Sequence, residues 1–232
     1  YFIGILSALL VILIYVVLPE IQSVHIGGNK KAILQRYKQL LTDSKVSLSY
    51  FAYFVFQTGN FAAFSFFGVW LSIQFGLQVH EVGTAMLVLG LGNLTGNIFG
   101  PRIVNKIGYN LSFYGGIIFT AVLYVLLPHV KNIVLVELSF FALFFWTGIL
   151  FVLMMRHLQN ISSVARGTGA ALANASMYIG QMIGAAIAGM LFAISHNFIL
   201  IGSFTALLYI GALFLFRKSE KLTENSETGI AS

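Results

Sequence analysis

Seven long apolar stretches separated by short polar connections limit what this chain can fold into. They cover residues 1–18, 47–75, 82–101, 109–128, 133–155, 167–194 and 197–216. Their lengths are close to or above the ~20 residues that a helix needs to cross a bilayer. Glu137 is the only charged side chain inside them, and the other charged residues lie between or after them. The pattern predicts an all-α integral membrane protein, because a β-barrel would show shorter, alternating segments.

The composition excludes soluble and disordered classes of protein. Hydrophobic residues make up 58% of the 232 residues and charged residues only 9%, whereas soluble domains carry roughly 25% charged residues. Disorder requires low hydrophobicity and high net charge, which is the opposite composition. The sequence contains no cysteine, which removes disulfides, cysteine-ligated metals and thiol catalysis.

The basic residues collect on one side of the predicted spans. If the spans alternate in direction, that side holds twelve of the thirteen Lys and Arg residues, and the opposite side holds only Lys131. Such an excess marks the cytoplasmic side of a membrane protein. We therefore expect a multi-pass protein of the plasma membrane with a cytoplasmic C-terminus. The net charge of +6 follows from this placement, and we expect no nucleic-acid partner.

The spacing of the stretches divides the chain into four parts. Residues 1–18 begin inside an apolar stretch, which indicates the truncated helix of a longer protein. Residues 19–45 form a long basic linker, in which 33–41 show the apolar periodicity of an amphipathic helix. This helix suits an anionic membrane surface, and an ordinary solvated helix is an equal alternative. Six closely spaced spans occupy 46–217, and we expect the polar tail, 218–232, to be disordered.

Three motifs carry a family resemblance. They are a short turn at 75–83 (FGLQVHEVG), a loop at 101–108 (PRIVNKIG) and a helix entry at 165–169 (ARGTG). Together with the spacing of the spans, they resemble the C-terminal half of a major facilitator superfamily transporter. The resemblance implies that 1–18 is the last helix of the N-terminal half. It also implies that 46–217 is a six-helix half-bundle containing helices seven to twelve.

The loop at 101–108 resembles the second-half copy of the family's signature loop. Lys106 and Gly108 match that pattern, and Asn105 stands where the family usually has an acid. The resemblance implies a gating role for Asn105, Lys106 and Gly108. Because Asn105 carries no charge, the charged gating contact of the acid is not expected here.

Glycines recur every four residues on two of the predicted spans. Small residues at this spacing let helix backbones approach closely. We therefore expect helix packing along both stripes, which would also be sliding surfaces in a transporter that rocks. The stripes are Gly92, Gly96 and Gly100 on the third span, and Gly180 and Gly184 on the sixth.

Polar residues inside the spans are the candidates for a binding site, since each costs free energy unless it faces protein or water. One set shares a face of the second span, which the resemblance implies lines the transport cavity: Tyr53, Gln57, Asn60 and Phe64. Asn174 and Tyr178 share a face of the sixth span, Asn93 and Asn97 share one on the third, and Trp146 lies in the middle of the fifth. The functional interpretation is a substrate cavity. The alternative is hydrogen bonding and packing between helices.

Glu137 is the sole candidate for a proton carrier inside the spans. It lies near the end of its span, so a solvated end residue is an equal interpretation.

The histidines show no spacing typical of a metal site, and we expect no metal or cofactor. The sequence also lacks a phosphate-binding loop and a nucleophile elbow, so we expect no enzymatic activity.

These features predict secondary active transport of a small, neutral or cationic amphipathic solute. The nearly uncharged interior looks most like the drug–proton antiporter and sugar-efflux branch, which implies proton-coupled efflux by alternating access. The expected partners are the solute, the lipid bilayer and the N-terminal half of the same transporter. A non-transporting membrane subunit or scaffold, whose polar faces bind partner helices, is the alternative.

Overall fold

The computed structural model describes residues 2–17, 35, 37–38, 40–161 and 166–228. All regular structure in these ranges is helical, which confirms the predicted all-α class. The chain divides into two units, Tyr1–Gln35 and Arg36–Ser232. The first unit contains helix α1 (Phe2–Val17), whose described side chains are exposed. In the predicted linker helix, residues 33, 34, 36 and 39 lie outside the described residues, and the other five are helical.

The second unit contains six long helices. They are α2 (Ser44–Phe75), α3 (Val79–Ile107), α4 (Leu111–His129), α5 (Ile133–Asn160), α6 (Arg166–Ser195) and α7 (Ile199–Thr228). The helical segment α4 begins with a π-helical turn and ends with a 3-10 turn. All six are long and apolar enough to cross a membrane, as the last six apolar stretches predict.

Local capping explains where several of these helices begin and end. Gly76 ends α2 in the left-handed conformation, with φ of 67°, which a residue without a Cβ adopts at no steric cost. The side-chain oxygens of Asp43 and Asn132 accept hydrogen bonds from backbone N–H groups in the first turns of α2 and α5. These caps satisfy backbone donors that the helix itself leaves unpaired.

The interior of the second unit is built around α2. This helix packs mainly against α6 and α7, while α3 pairs with α5 and α4 lies against α7 and α5. An aromatic cluster fills one end of the bundle, where the ring centroids of Phe67 and Phe140 lie 4.4 Å apart and those of Trp70 and Phe198 lie 5.0 Å apart. All four rings are buried, so they fix the relative positions of α2, α5 and the start of α7.

The glycine stripe of α3 faces α5. A Cβ at Gly92 would lie 2.5 Å from the carbonyl oxygen of Phe141. A Cβ at Gly96 would overlap the carbonyl oxygen of Phe145. Gly100 continues the stripe against α5. Since no larger residue fits without separating the two backbones, the stripe sets the distance between α3 and α5.

The glycine stripe of α6 faces α2 in the same way. A Cβ at Gly180 would lie 3.0 Å from the carbonyl oxygen of Phe54. A Cβ at Gly184 would overlap the carbonyl oxygen of Thr58. Close backbone contact thus holds α3 against α5 and α6 against α2.

The last helix continues beyond the end that the sequence predicts. Residues 218–228 are helical, which corrects the prediction of disorder there, and 229–232 lie outside the described residues. Ser219 explains the difference, because it is fully buried and its Oγ donates a 2.8 Å hydrogen bond to the carbonyl oxygen of Lys45. The Oγ of Ser49 lies 2.6 Å from that of Ser219 and 3.1 Å from Nε2 of His157. This polar cluster ties α7 to α2 and α5 where the apolar stretch has already ended.

Candidate functional site

An open cavity of about 300 Å³ lies between α2, α3, α5 and α6. Its volume is at the lower end of the range for small-molecule sites. Its lining combines amides and aromatic rings, and none of the lining side chains carries a charge. The lining residues are Phe56, Gln57, Asn60, Phe61, Phe64, Asn93, Asn97, Phe144, Thr147, Phe151 and Met177.

The face predicted on α2 supplies the centre of this lining. Gln57, Asn60 and Phe64 line the cavity together, because spacings of three and four place residues on one side of a helix. Tyr53 is buried one turn away, and its hydroxyl accepts a 2.8 Å hydrogen bond from Nε2 of Gln57. Tyr53 therefore orients the Gln57 amide and does not itself line the cavity.

A residue of α7 holds the Asn60 amide through a hydrogen bond. The phenol of Tyr209 donates a hydrogen bond of 3.2 Å to Oδ1 of Asn60. Among the described residues, Nδ2 of Asn60 and Oε1 of Gln57 have no hydrogen-bond partner. One unpaired donor and one unpaired acceptor thus lie on neighbouring turns of α2.

A second amide pair lines the cavity from α3. Nδ2 of Asn97 donates to both the side-chain and the backbone oxygen of Asn93, each at 2.9 Å. Gly148 of α5 packs directly against this pair, since a Cβ there would lie 2.7 Å from the carbonyl oxygen of Asn93. The absence of a side chain at Gly148 lets α3 bring both amides to the cavity.

Aromatic rings form the rest of the wall. The ring centroids of Phe64 and Phe144 lie 6.0 Å apart across the α2–α5 contact, and those of Phe61 and Phe64 lie 5.8 Å apart. Aromatic faces attract cations as well as apolar groups. The cavity can therefore hold a solute with an apolar or cationic part beside a hydrogen-bonding part.

Trp146, predicted as a candidate for the wall, lies elsewhere. Its ring centroid lies 6.0 Å from that of Phe119 on α4, and its ring packs against Gly116. The neighbouring Thr147 lines the cavity in its place. The two residues face different neighbours because consecutive helical residues point in directions about 100° apart. The predicted role of Trp146 in substrate binding stays a prediction.

Asn174 and Tyr178 do not line the cavity either. Both are exposed on α6, with 63% of Tyr178 accessible, whereas Met177 on the adjacent face reaches the lining. The two predicted residues share a face of α6, but that face points out of the second unit. Their prediction as substrate-binding residues stays a prediction.

Glu137 lies about one turn from the start of α5 and is partly exposed. Phe144, the lining residue of α5 nearest to it in sequence, is seven positions further on, which corresponds to about 10 Å along a helix. The cavity therefore includes no group from Glu137, and its role as a proton carrier stays a prediction.

The predicted gating residues lie at the far end of α3. Asn105 is exposed at the edge of a small cavity of about 80 Å³, which Arg156 of α5 also lines. Lys106 is exposed in the last turn of α3, and Gly108 ends the helix with φ of 87°. The positive φ requires glycine or a strained residue at this position.

Tyr209 is a residue of the site that sequence reasoning missed. The polar faces considered from sequence lie on other spans, so its hydroxyl was assigned no role. The available signal was a phenol in the middle of an apolar span, since buried tyrosine hydroxyls usually find a hydrogen-bond partner.

Comparisons with known proteins agree with this architecture. The family model of the Major Facilitator Superfamily matches residues 49–231. An uncharacterized MFS-type transporter of Bacillus subtilis strain 168, YceJ, is 39% identical over 225 residues. The match covers 97% of this chain and 57% of that relative, so the chain spans little more than half of the length of the relative. The chain belongs to the major facilitator superfamily and is a multi-pass membrane protein.

Proposed function

We propose that this chain is the second half of a secondary active transporter for a small, neutral or cationic amphipathic solute. The uncharged cavity carries the proposal, because it places the unpaired groups of Gln57 and Asn60 beside phenylalanine rings. Phosphate and carboxylate solutes are usually held by Arg or Lys, and the lining contains neither.

The proposed partner is the N-terminal half of the same transporter. The two helices that flank the cavity, α3 and α6, are the least buried of the six. The outward face of α6 carries Asn174 and Tyr178, and a polar face is unfavourable against lipid. A second half-bundle covering these faces would enclose the cavity and convert it into a pathway with alternating access.

The proposed direction is export and the proposed driving force is a proton gradient. Both rest on the resemblance of the amide and aromatic interior to the drug–proton antiporter branch. The lining offers no carboxylate, so the proton-binding group lies outside this cavity, either at Glu137 or in the other half.

The test uses two aromatic ions of similar shape and opposite charge, phenyltrimethylammonium and benzenesulfonate. Calorimetric titration of the full-length purified protein should show at least tenfold tighter binding of the cation. Equal affinity, or tighter binding of the anion, would contradict the proposed solute class. Binding without exchange of the labelled cation across proteoliposomes would support the non-transporting alternative.

A further inference from the structure

A second cavity lies between α4 and α7, near the C-terminal end of α7. Its volume is about 660 Å³, and it shares no lining residue with the cavity between α2, α3, α5 and α6. Arg217, Lys218 and Lys221 line it together with one carboxylate, Glu220. The lining therefore carries an excess of positive charge.

One face of α7 leads directly into this cavity. Leu207, Ile210, Phe214, Arg217 and Lys221 follow at spacings of three and four, so they lie on one side of the helix. The first three are exposed apolar side chains, with 64% of Phe214 accessible, and the last two are exposed cations. The face thus changes from apolar to basic at the position of the cavity, as expected where a helix leaves the hydrocarbon core.

Tyr114 of α4 contacts two of the charged residues that line the cavity. The Arg217 guanidinium carbon lies 4.9 Å from the centroid of the Tyr114 ring, which is a cation–π distance. The Tyr114 hydroxyl donates a hydrogen bond to the Glu220 carboxylate. Lys218 and Lys221 make no hydrogen bond or ion pair within the described part of the chain. Two ammonium groups are therefore available to an anion.

A neighbouring tyrosine adds no negative charge. Tyr109 lies in an adjoining cavity that shares Asn110 and Glu220 with this one. Burial, and after it the Glu220 carboxylate, raises the pKa of the Tyr109 phenol. This phenol stays protonated and neutral at physiological pH, so Glu220 is the one negative group on the described walls.

We propose that this cavity binds the headgroup of an anionic phospholipid. The phosphate would contact Arg217, Lys218 and Lys221, and an acyl chain would follow the exposed apolar face that ends at Phe214. Basic pockets between helices at a membrane surface suit such headgroups. The continuity of the basic cavity with an apolar, outward-facing stripe favours a lipid over a soluble anion, which has no apolar part to place there.

The test counts bound lipid on the purified full chain by native mass spectrometry during titration with phosphatidylglycerol or phosphatidylcholine. We expect phosphatidylglycerol to bind at least tenfold more tightly. The double variant Lys218→Gln/Lys221→Gln should lose about tenfold or more of that affinity. Similar affinity for the two lipids would overturn the proposal.

The matched control is Arg102→Gln/Lys106→Gln, which removes two exposed cations that line neither this cavity nor the one adjoining it. We expect its affinity for phosphatidylglycerol to stay within about threefold of the wild type. An equal loss in both double variants would show diffuse charge attraction and no site.

Two further measurements test lipid binding without the double variant, in case that variant is unstable. Phe214→Ala keeps every charge and should weaken phosphatidylglycerol binding, and an unchanged affinity would overturn the lipid assignment. Millimolar inorganic phosphate should fail to displace the lipid. Displacement by phosphate would instead identify a site for soluble anions.

Discussion

Tyr209 on α7 donates its phenolic hydrogen to Oδ1 of Asn60 on α2 over 3.2 Å. Tyr209 is fully buried, and its ring stacks on Phe56 with centroids 4.2 Å apart. The stacking and the hydrogen bond together fix the Asn60 amide, whose Nδ2 has no partner among the described residues. A helix that does not itself line the cavity therefore determines how the cavity presents its hydrogen-bond donor.

Tyr209→Phe should remove this orientation with little change in shape. Interhelical hydrogen bonds in membranes contribute about 0.6 kcal/mol on average, so we expect affinity for phenyltrimethylammonium to fall about threefold. Calorimetric titration measures the change. Tyr109→Phe is the matched control, because the Tyr109 hydroxyl is buried without a hydrogen-bond partner among the described residues and Tyr109 does not line the cavity that contains Asn60. Removing an unpartnered buried hydroxyl should leave affinity unchanged and stability equal or slightly higher. Equal effects of the two substitutions would contradict the role given to Tyr209.

The glycine stripe of α3 makes a prediction about stability. A Cβ at Gly96 would overlap the Phe145 carbonyl oxygen, whereas a Cβ at Gly90 would meet nothing within 4 Å. Gly96→Ala should destabilise the protein by about 1–3 kcal/mol, because α3 and α5 must separate. Gly90→Ala should be neutral or stabilising by up to about 1 kcal/mol. Melting temperatures in detergent compare the two, and a harmless Gly96→Ala would contradict the close packing.

The face of α2 could be predicted from sequence because a helical repeat alone places Gln57, Asn60 and Phe64 together. The six long helices could be predicted for a similar reason, since a bilayer admits few arrangements of apolar segments. Neither inference requires knowledge of which helices are neighbours.

The position of other residues relative to the cavity depends on that knowledge. Periodicity puts Asn174 and Tyr178 on one face of α6, but backbone contacts at Gly180 and Gly184 decide that a different face meets α2. Ser219 shows the same limit, because its hydrogen bond to Lys45 joins residues far apart in sequence. Such contacts extend α7 into a segment whose composition alone indicates disorder.

The orientation predicted from the basic residues can be tested by labelling, since the native chain has no cysteine. Single cysteines at Gln78, Asn132 and Asn197 should react with an impermeant thiol reagent added to intact cells. Cysteines at Gln35, Asn105 and Ser226 should react only after the membrane is opened. Labelling of the second group in intact cells would overturn the orientation.

The proposed need for a second half predicts the behaviour of the chain alone. Residues 1–232 expressed alone should reach the membrane but show no exchange of phenyltrimethylammonium, because the faces of α3 and α6 are uncovered. Co-expression with the proposed N-terminal half should restore measurable exchange. Full exchange by the chain alone would indicate a self-associating carrier.

The most direct measurement of the central claim compares Asn60→Leu with Ser203→Leu in the full-length protein. Asn60 lines the cavity, whereas Ser203 is exposed on α7, and both substitutions replace a polar residue within a span by leucine. We expect Asn60→Leu to reduce exchange per molecule by at least tenfold at near-normal abundance, and Ser203→Leu to be nearly silent. If Asn60→Leu lowers abundance but leaves exchange per molecule unchanged, Asn60 joins helices and the cavity does not bind the solute.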